Sequence, residues 1–188
     1  MMLKLNAKEL RDRKPTLEEL VGIKRRPLYI VLDNVLDTYN IGGLFRLADA
    51  VGASEVIICG ESETPPSSRI HKAAVGLEEW VPWRYEKDAH TAISNLRFSI
   101  SNLLIVVVEQ SKKSVPYTEV GKYVSGNVPV AIVVGHETED VDKKVLDIAD
   151  VILEIPMFGV NRSLNVIVSG AIVAYSSIRE NPAISSRR

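Results

Sequence analysis

The strongest constraint in this chain is a repeated alternation between short, continuously apolar runs and segments with helical periodicity. Leu28–Asp33 (LYIVLD), Glu55–Cys59, Leu103–Val108 (LLIVVV), Val128–Val134 (VPVAIVV) and Val151–Ile155 read as strands, with Trp80–Tyr85 as a shorter one. Asn40–Val51, Ser68–Val75, Asp88–Leu96, Asp142–Ala149 and Ser163–Arg179 read as helices, with a helical turn near Tyr117–Val120. A strand with one solvated face alternates apolar and polar residues; these strands do not, so both of their faces must be covered. Such strands separated by helices predict an α/β domain with a mostly parallel sheet and helices on both faces.

Local signals set the element ends. Asn40 is the expected N-cap of its helix and Gly52 the stop. Ser163 is the expected N-cap of the last helix, which Asn181-Pro182 ends. Before the first strand, Leu3, Leu10, Leu17, Leu20, Val21 and Ile23 keep a helical rhythm that Pro15 interrupts, which predicts two short helices. Thr16 followed by Glu19 reads as a capping box at the start of the second.

Composition excludes several classes. A single cysteine, Cys59, allows no disulfide framework or cysteine-rich metal site within one chain, and it ends an apolar run, as a buried structural thiol would. His71, His90 and His136 show no ligand spacing, so no metal site is read. The start of the chain has no apolar core of a signal peptide, and no stretch reads as a membrane span, so a cytoplasmic protein is expected. The net charge is −1, yet Lys4, Lys8, Arg11, Arg13, Lys14, Lys24, Arg25 and Arg26 crowd the first 26 residues. Glu9, Asp12, Glu18 and Glu19 are interleaved among them, which by itself reads as a solvated face.

Three segments carry candidate chemistry. Asn40-Ile41-Gly42-Gly43-Leu44-Phe45-Arg46 follows a strand and opens a helix. A helix N-terminus presents unpaired N–H groups suited to phosphate or a sugar hydroxyl, Gly42 and Gly43 leave room for close approach, and Arg46 is near enough to reach the same end. The segment has neither the dinucleotide glycine spacing nor the lysine of a phosphate loop, and reads equally as a capped helix with a surface arginine. The second segment, Val133 to Val141, takes an apolar strand through Gly135 into a polar turn with Glu137. Ligands in open α/β sheets sit beyond such carboxyl ends, so Gly135 and Glu137 are cofactor candidates; an acidic surface turn is the other reading. The third, Ile155 to Val166, runs from a strand through Pro156, Gly159 and Asn161 into a helix, either as a site loop on a firm scaffold or as a connector with a cap.

Taken together, the three segments resemble the signature motifs of the SpoU branch of the SPOUT methyltransferase superfamily. The first motif, N-x-G-x-x-x-R, is matched by Asn40, Gly42 and Arg46. The second, G-x-E-x-x-G, is matched by Gly135 and Glu137, with Asp140 standing where the family usually has its final glycine. The third, I-P-M-x-G followed by S-L-N-V, is matched by Ile155, Pro156, Met157, Gly159, Ser163, Leu164, Asn165 and Val166. The resemblance covers roughly residues 28–180. It implies a short helical extension over 1–27, a methyltransferase domain over 28–180 and a tail over 181–188.

The same resemblance implies a C-terminal deep trefoil knot built mainly from residues 128–170, a homodimer, and S-adenosyl-L-methionine as cofactor. The long last helix, apolar on nearly all sides, agrees with burial against a second copy. The implied reaction is methyl transfer to a ribose 2′-hydroxyl of RNA, with tRNA favoured over rRNA because only about 27 residues precede the first strand, too few for a separate RNA-binding domain. Arg46 is the implied catalytic residue, with Asn40, Ser163 and Asn165 shaping the catalytic loop. Val108, Gly135, Glu137, Ile155, Met157 and Leu164 are the implied cofactor contacts. RNA would arrive over the basic N-terminal segment, Arg162 and the C-terminal arginines, Arg187 and Arg188. The competing readings are a non-catalytic RNA-binding protein that keeps the fold, and another kind of nucleotide-binding α/β enzyme.

Overall fold

The computed structural model describes residues 4–125, 128–136 and 141–181. Seven strands form one sheet: β1 (Arg26–Asp33), β2 (Ala53–Cys59), β3 (Trp83–Glu86), β4 (Leu104–Val108), β5 (Val115–Pro116), β6 (Val130–Val134) and β7 (Val151–Glu154). Every pairing is parallel, and the order across the sheet is β3-β2-β1-β6-β4-β7-β5. The helices are α1 (Ala7–Asp12), α2 (Leu17–Gly22), α3 (Thr38–Val51), α4 (Ser68–Ala74), α5 (Ala89–Ser99), α6 (Gly121–Val124), α7 (Lys143–Ile148) and α8 (Val166–Glu180).

The unbroken apolar character of the strands has a direct outcome. Leu28, Ile30, Leu32, Val106, Ile132 and Val134 point into one core with α3, α4 and α8. Val31, Ile57, Ile105, Val107 and Val133 point into a second core with α5 and α7. A residue and its strand neighbour lie on opposite faces, so both faces are dry and no position can be polar without cost. Among the described residues no helix is long and apolar enough to cross a membrane.

Two helix starts differ from the sequence expectation. Asp37, not Asn40, caps α3, its carboxylate accepting from the Tyr39 N–H at 2.8 Å. Both residues are good caps, and the earlier one extends the helix; Asn40 then lies buried within the first turn. Likewise Asn165, not Ser163, caps α8, accepting from the Ile167 N–H at 2.9 Å. The other local signals hold: Thr16 and Glu19 form a reciprocal capping box, and Gly52 ends α3 with φ of 66°. The edge strand β5, two residues long, is unannounced by any periodicity.

Candidate active site at the carboxyl ends of the central strands

In a parallel sheet all strands deliver their following loops to the same side. Here β6 lies between β1 and β4, and β4 lies between β6 and β7. Val134 pairs in register with Leu32 and Val108, and Val108 with Leu153. The loops after β1, β4, β6 and β7 therefore leave the sheet side by side, which places Val108, Gly135 and Ile155 at one edge.

The first and third signature segments, 125 residues apart, meet directly: the Asn165 side-chain N–H donates to the Asn40 side-chain oxygen at 2.9 Å. Asn165 thus serves two ends at once, its oxygen capping α8 and its amide nitrogen holding α3. Beside this contact the helices approach closely. A Cβ on Gly43 would collide with the Ile167 side chain, so that glycine's room is filled by α8. A Cβ on Gly42 would lie 2.5 Å from the Ala73 Cβ and 2.7 Å from the Ala74 backbone nitrogen, so its room is filled by α4. The close approach expected of both glycines is made by the chain's own helices.

Arg46 is exposed and makes no hydrogen bond or ion pair among the described residues. It follows Gly43 by three positions and stands beside the α3–α8 seam, roughly 9 Å along the helix axis from Asn40. Its guanidinium is therefore available to an incoming anion. Ser163 and Leu164 are exposed on the loop before α8, and the Ser163 N–H donates to the Asn161 side chain at 3.3 Å. Ile155 and Met157 are half-buried, while Phe158 is 96% exposed. Glu137 and Asp140 lie outside the described residues. The space beside Gly135 is taken by Val141, whose Cγ2 would lie 2.5 Å from an added Cβ.

Three polar residues at these strand ends were not singled out by sequence reasoning. The Asp142 N–H donates to Asp33 at 3.1 Å, the Val141 N–H to Glu109 at 3.2 Å, and the Gln110 side chain to the Arg162 carbonyl at 2.7 Å. Burial pushes the Asp33 carboxyl above its ordinary value, against the lowering effect of the Asp142 N–H. The available signal was an acid or amide directly after an apolar run, which also describes any solvated strand end.

Four of the eight basic residues of the N-terminal segment have partners among the described residues. Arg13 pairs with Glu19 and lies 5.4 Å from the centre of the Trp80 ring, and Lys14 reaches Glu79 at 3.0 Å. Arg25 donates to the Ala53 and Trp80 carbonyls and Arg26 to the Val51 carbonyl. Of the proposed RNA surface, Lys4, Lys8, Arg11, Arg13, Lys14, Lys24 and Arg162 are exposed. Arg187 and Arg188 lie outside the described residues.

Known proteins resemble this chain over most of its length. Residues 27–175 match the profile of the SpoU rRNA Methylase family. The chain is 28% identical over 174 residues to the 23S rRNA (guanosine-2'-O-)-methyltransferase RlmB of Haemophilus influenzae, covering 93% of this chain and 68% of that protein. It is 30% identical over 171 residues to the tRNA (guanosine(18)-2'-O)-methyltransferase of Aquifex aeolicus, covering 91% of this chain and 78% of that protein. Its fold superposes on the AdoMet-bound rRNA methyltransferase of Sinorhizobium meliloti with a TM-score of 0.72 and 26% identity, over 90% of this chain and 59% of that one.

Proposed function

The chain belongs to the SpoU rRNA Methylase family, and from that premise we propose that it transfers the methyl group of S-adenosylmethionine to a ribose 2′-hydroxyl of RNA, as a homodimer with tRNA as its substrate. The observation that supports this reading best is the Asn165–Asn40 hydrogen bond, which brings the ends of two signature segments together on the helix that carries the exposed Arg46. The residues at the strand ends fit such a cofactor. Val108, Ile155 and Met157 are half-buried apolar side chains, and no backbone group from Met157 to Asn161 pairs with another backbone group among the described residues, which leaves N–H and C=O groups for a ligand.

The cofactor supplies a methyl group already activated on a sulfonium. The protein's tasks are then to align the acceptor and to stabilise charge developing on its oxygen. Arg46 suits the second task. A guanidinium stays protonated throughout the working range, so it acts as a fixed cation beside the phosphate and the developing alkoxide, and the hydroxyl proton leaves to another group or to water. The Asn40–Asn165 bond holds the α3 turn that precedes Arg46 against the loop that carries Ser163.

The strand order supports a knotted chain: β7 lies between β4 and β5, which are consecutive in sequence and joined by residues 109–114. Exposed apolar side chains support the dimer. Val168 and Tyr175 lie two turns apart on one side of α8, Leu164 is exposed just before that helix, and Tyr39 stands one turn before Gly43 on the neighbouring α3. The relatives include both a tRNA and an rRNA 2′-O-methyltransferase, so both RNA classes enter the assay.

The test is methyl transfer from labelled S-adenosylmethionine to unmodified tRNA and, separately, to rRNA transcripts, followed by nucleoside analysis. A 2′-O-methylated nucleoside from tRNA is the expected result. The same nucleoside from rRNA alone would correct the substrate class. A methylated base, or binding of S-adenosylhomocysteine without transfer to either RNA, would overturn the reaction.

A further inference from the structure

Two acids outside the three signature segments act on the second of them. Asp33 is the last residue of β1 and Glu109 follows the last residue of β4, and these two strands flank β6 on either side. The chain leaves β6 at Gly135 and is back in contact with it at Val141. There two consecutive backbone N–H groups turn to opposite sides: Val141 donates to Glu109 Oε2 at 3.2 Å and Asp142 to Asp33 Oδ2 at 3.1 Å. The remaining oxygens are also used, Glu109 Oε1 by the Gln110 N–H at 2.7 Å and Asp33 Oδ1 by the Asn34 side chain at 3.0 Å. The next side chain, Gln110, donates to the Arg162 carbonyl at 2.7 Å and so ties in the loop after β7.

The geometry points to Asp33 and Glu109 as positioning residues: a carboxylate pair that holds Val141 and Asp142 from both neighbouring strands and keeps Val141 packed beside Gly135, with Gln110 tying in the loop after β7, at the strand ends where the cofactor would bind. This rests on the cofactor reading above. The argument that the pair serves binding is its cost. Asp33 is only 4% exposed, and no ion pair reaches it among the described residues. A buried carboxylate without a cation is expensive, and an asparagine would still accept the Asp142 N–H while giving up the second acceptor that the Asn34 side chain uses. What the carboxylate adds is that second acceptor and a stronger, charge-assisted bond to the Asp142 N–H. Glu109 applies the same device from the other side, so neither amide is left to swing.

The experiment compares S-adenosylhomocysteine affinity by calorimetry, tRNA affinity by filter binding and melting temperature in wild type, Asp33→Asn, Glu109→Ala, Glu109→Gln and Gln110→Ala. Glu109→Ala should weaken S-adenosylhomocysteine about tenfold, and Glu109→Gln, which keeps an acceptor, should recover most of that loss. Asp33→Asn should weaken S-adenosylhomocysteine by roughly threefold to tenfold while its melting temperature stays close to wild type, because removal of the buried charge offsets loss of the Asn34 hydrogen bond. Gln110→Ala should also weaken it, and tRNA affinity should hold in all four. A merely structural role would lower melting temperature and both affinities together, and that pattern would overturn the proposal. So would wild-type S-adenosylhomocysteine affinity in both Asp33→Asn and Glu109→Ala. Failure of the wild type to bind S-adenosylhomocysteine at all would instead overturn the functional reading and take this inference with it.

Discussion

Gly42→Ala separates the packing role of the first signature segment from a ligand role. The new Cβ would sit 2.5 Å from the Ala73 Cβ, 2.7 Å from the Ala74 nitrogen and 2.9 Å from the Ala73 carbonyl carbon. Two of these three atoms are backbone, so no side-chain rotation relieves the contact, and α4 must move off α3 by close to 1 Å to restore ordinary packing. Overpacking of this kind costs roughly 1–3 kcal/mol and occasionally more. Replacing glycine by alanine within a helix recovers about 1 kcal/mol at most. Because two of the clashing atoms are backbone, the cost falls toward the upper end of that range, and the net expectation is a loss of up to about 2 kcal/mol, which for a chain of this size lowers the melting temperature by up to roughly 8 °C. Gly43→Ala provides the contrast. Its obstacle is the end of the half-buried Ile167 side chain, which can turn aside, so the helix-propensity gain offsets most of the cost. Thermal unfolding followed by far-ultraviolet circular dichroism measures both, and Ile167→Ala in the Gly43→Ala background should recover any loss. A Gly42→Ala protein that melts at or above wild type, or a Gly43→Ala protein that is the less stable of the two, would refute the close-packing argument.

Other outcomes follow from single contacts. Asn165→Ala removes the α8 cap and the link to Asn40, so it should cost about 1–2 kcal/mol of stability, and Asn165→Asp, which keeps the cap but not the donor, should restore stability without restoring methyl transfer. Equal activity in wild type and Asn165→Asp would show that the link is not needed. Cys59 is fully buried, and burial together with the nearby Asp33, Glu86 and Asp88 carboxylates pushes its thiol well above the ordinary range. The folded protein therefore holds this proton longer than the unfolded chain, so the group's contribution to stability is full below the ordinary thiol pKa and is lost as pH rises through and beyond it. At pH 8 a disulfide reagent should label Cys59 only on unfolding; prompt labelling of the native protein would contradict its placement.

The layering was legible because the chemistry is local and repeated: runs such as Leu28–Leu32 and Val130–Val134 leave no polar face, and the sheet supplies two cores to receive them. Thr16 with Glu19, and Gly52, were readable because a cap needs only its neighbours. The competition between Asp37 and Asn40, and between Ser163 and Asn165, was not, because each pair offers two equivalent acceptors and a distant contact chooses. Asn165 reaches Asn40 across 125 residues, and no pattern in either segment encodes that distance. Strand order was illegible for the same reason, since β6 enters between β1 and β4 by tertiary fit and not by proximity in sequence. Within the basic N-terminal run, Arg25 and Arg26 bind carbonyls, Arg13 lies over the Trp80 ring and Lys14 pairs with Glu79 while staying exposed, and no local pattern names those partners. Glu109 and Gln110 escaped notice because an acid and an amide after an apolar run are unremarkable until the loops they hold are seen.

The measurement that tests the account most directly is methyl transfer by Arg46→Ala, made alongside its affinity for S-adenosylhomocysteine. Arg46 is exposed and without a partner among the described residues, so its loss should leave the fold and the strand-end loops in place. Transfer should fall by about a hundredfold or more, the scale expected on removing a donor aimed at developing negative charge, while S-adenosylhomocysteine affinity stays near wild type. Transfer at the wild-type rate would contradict the role given to Arg46, and loss of S-adenosylhomocysteine binding would contradict the separation of the cofactor edge from the catalytic arginine.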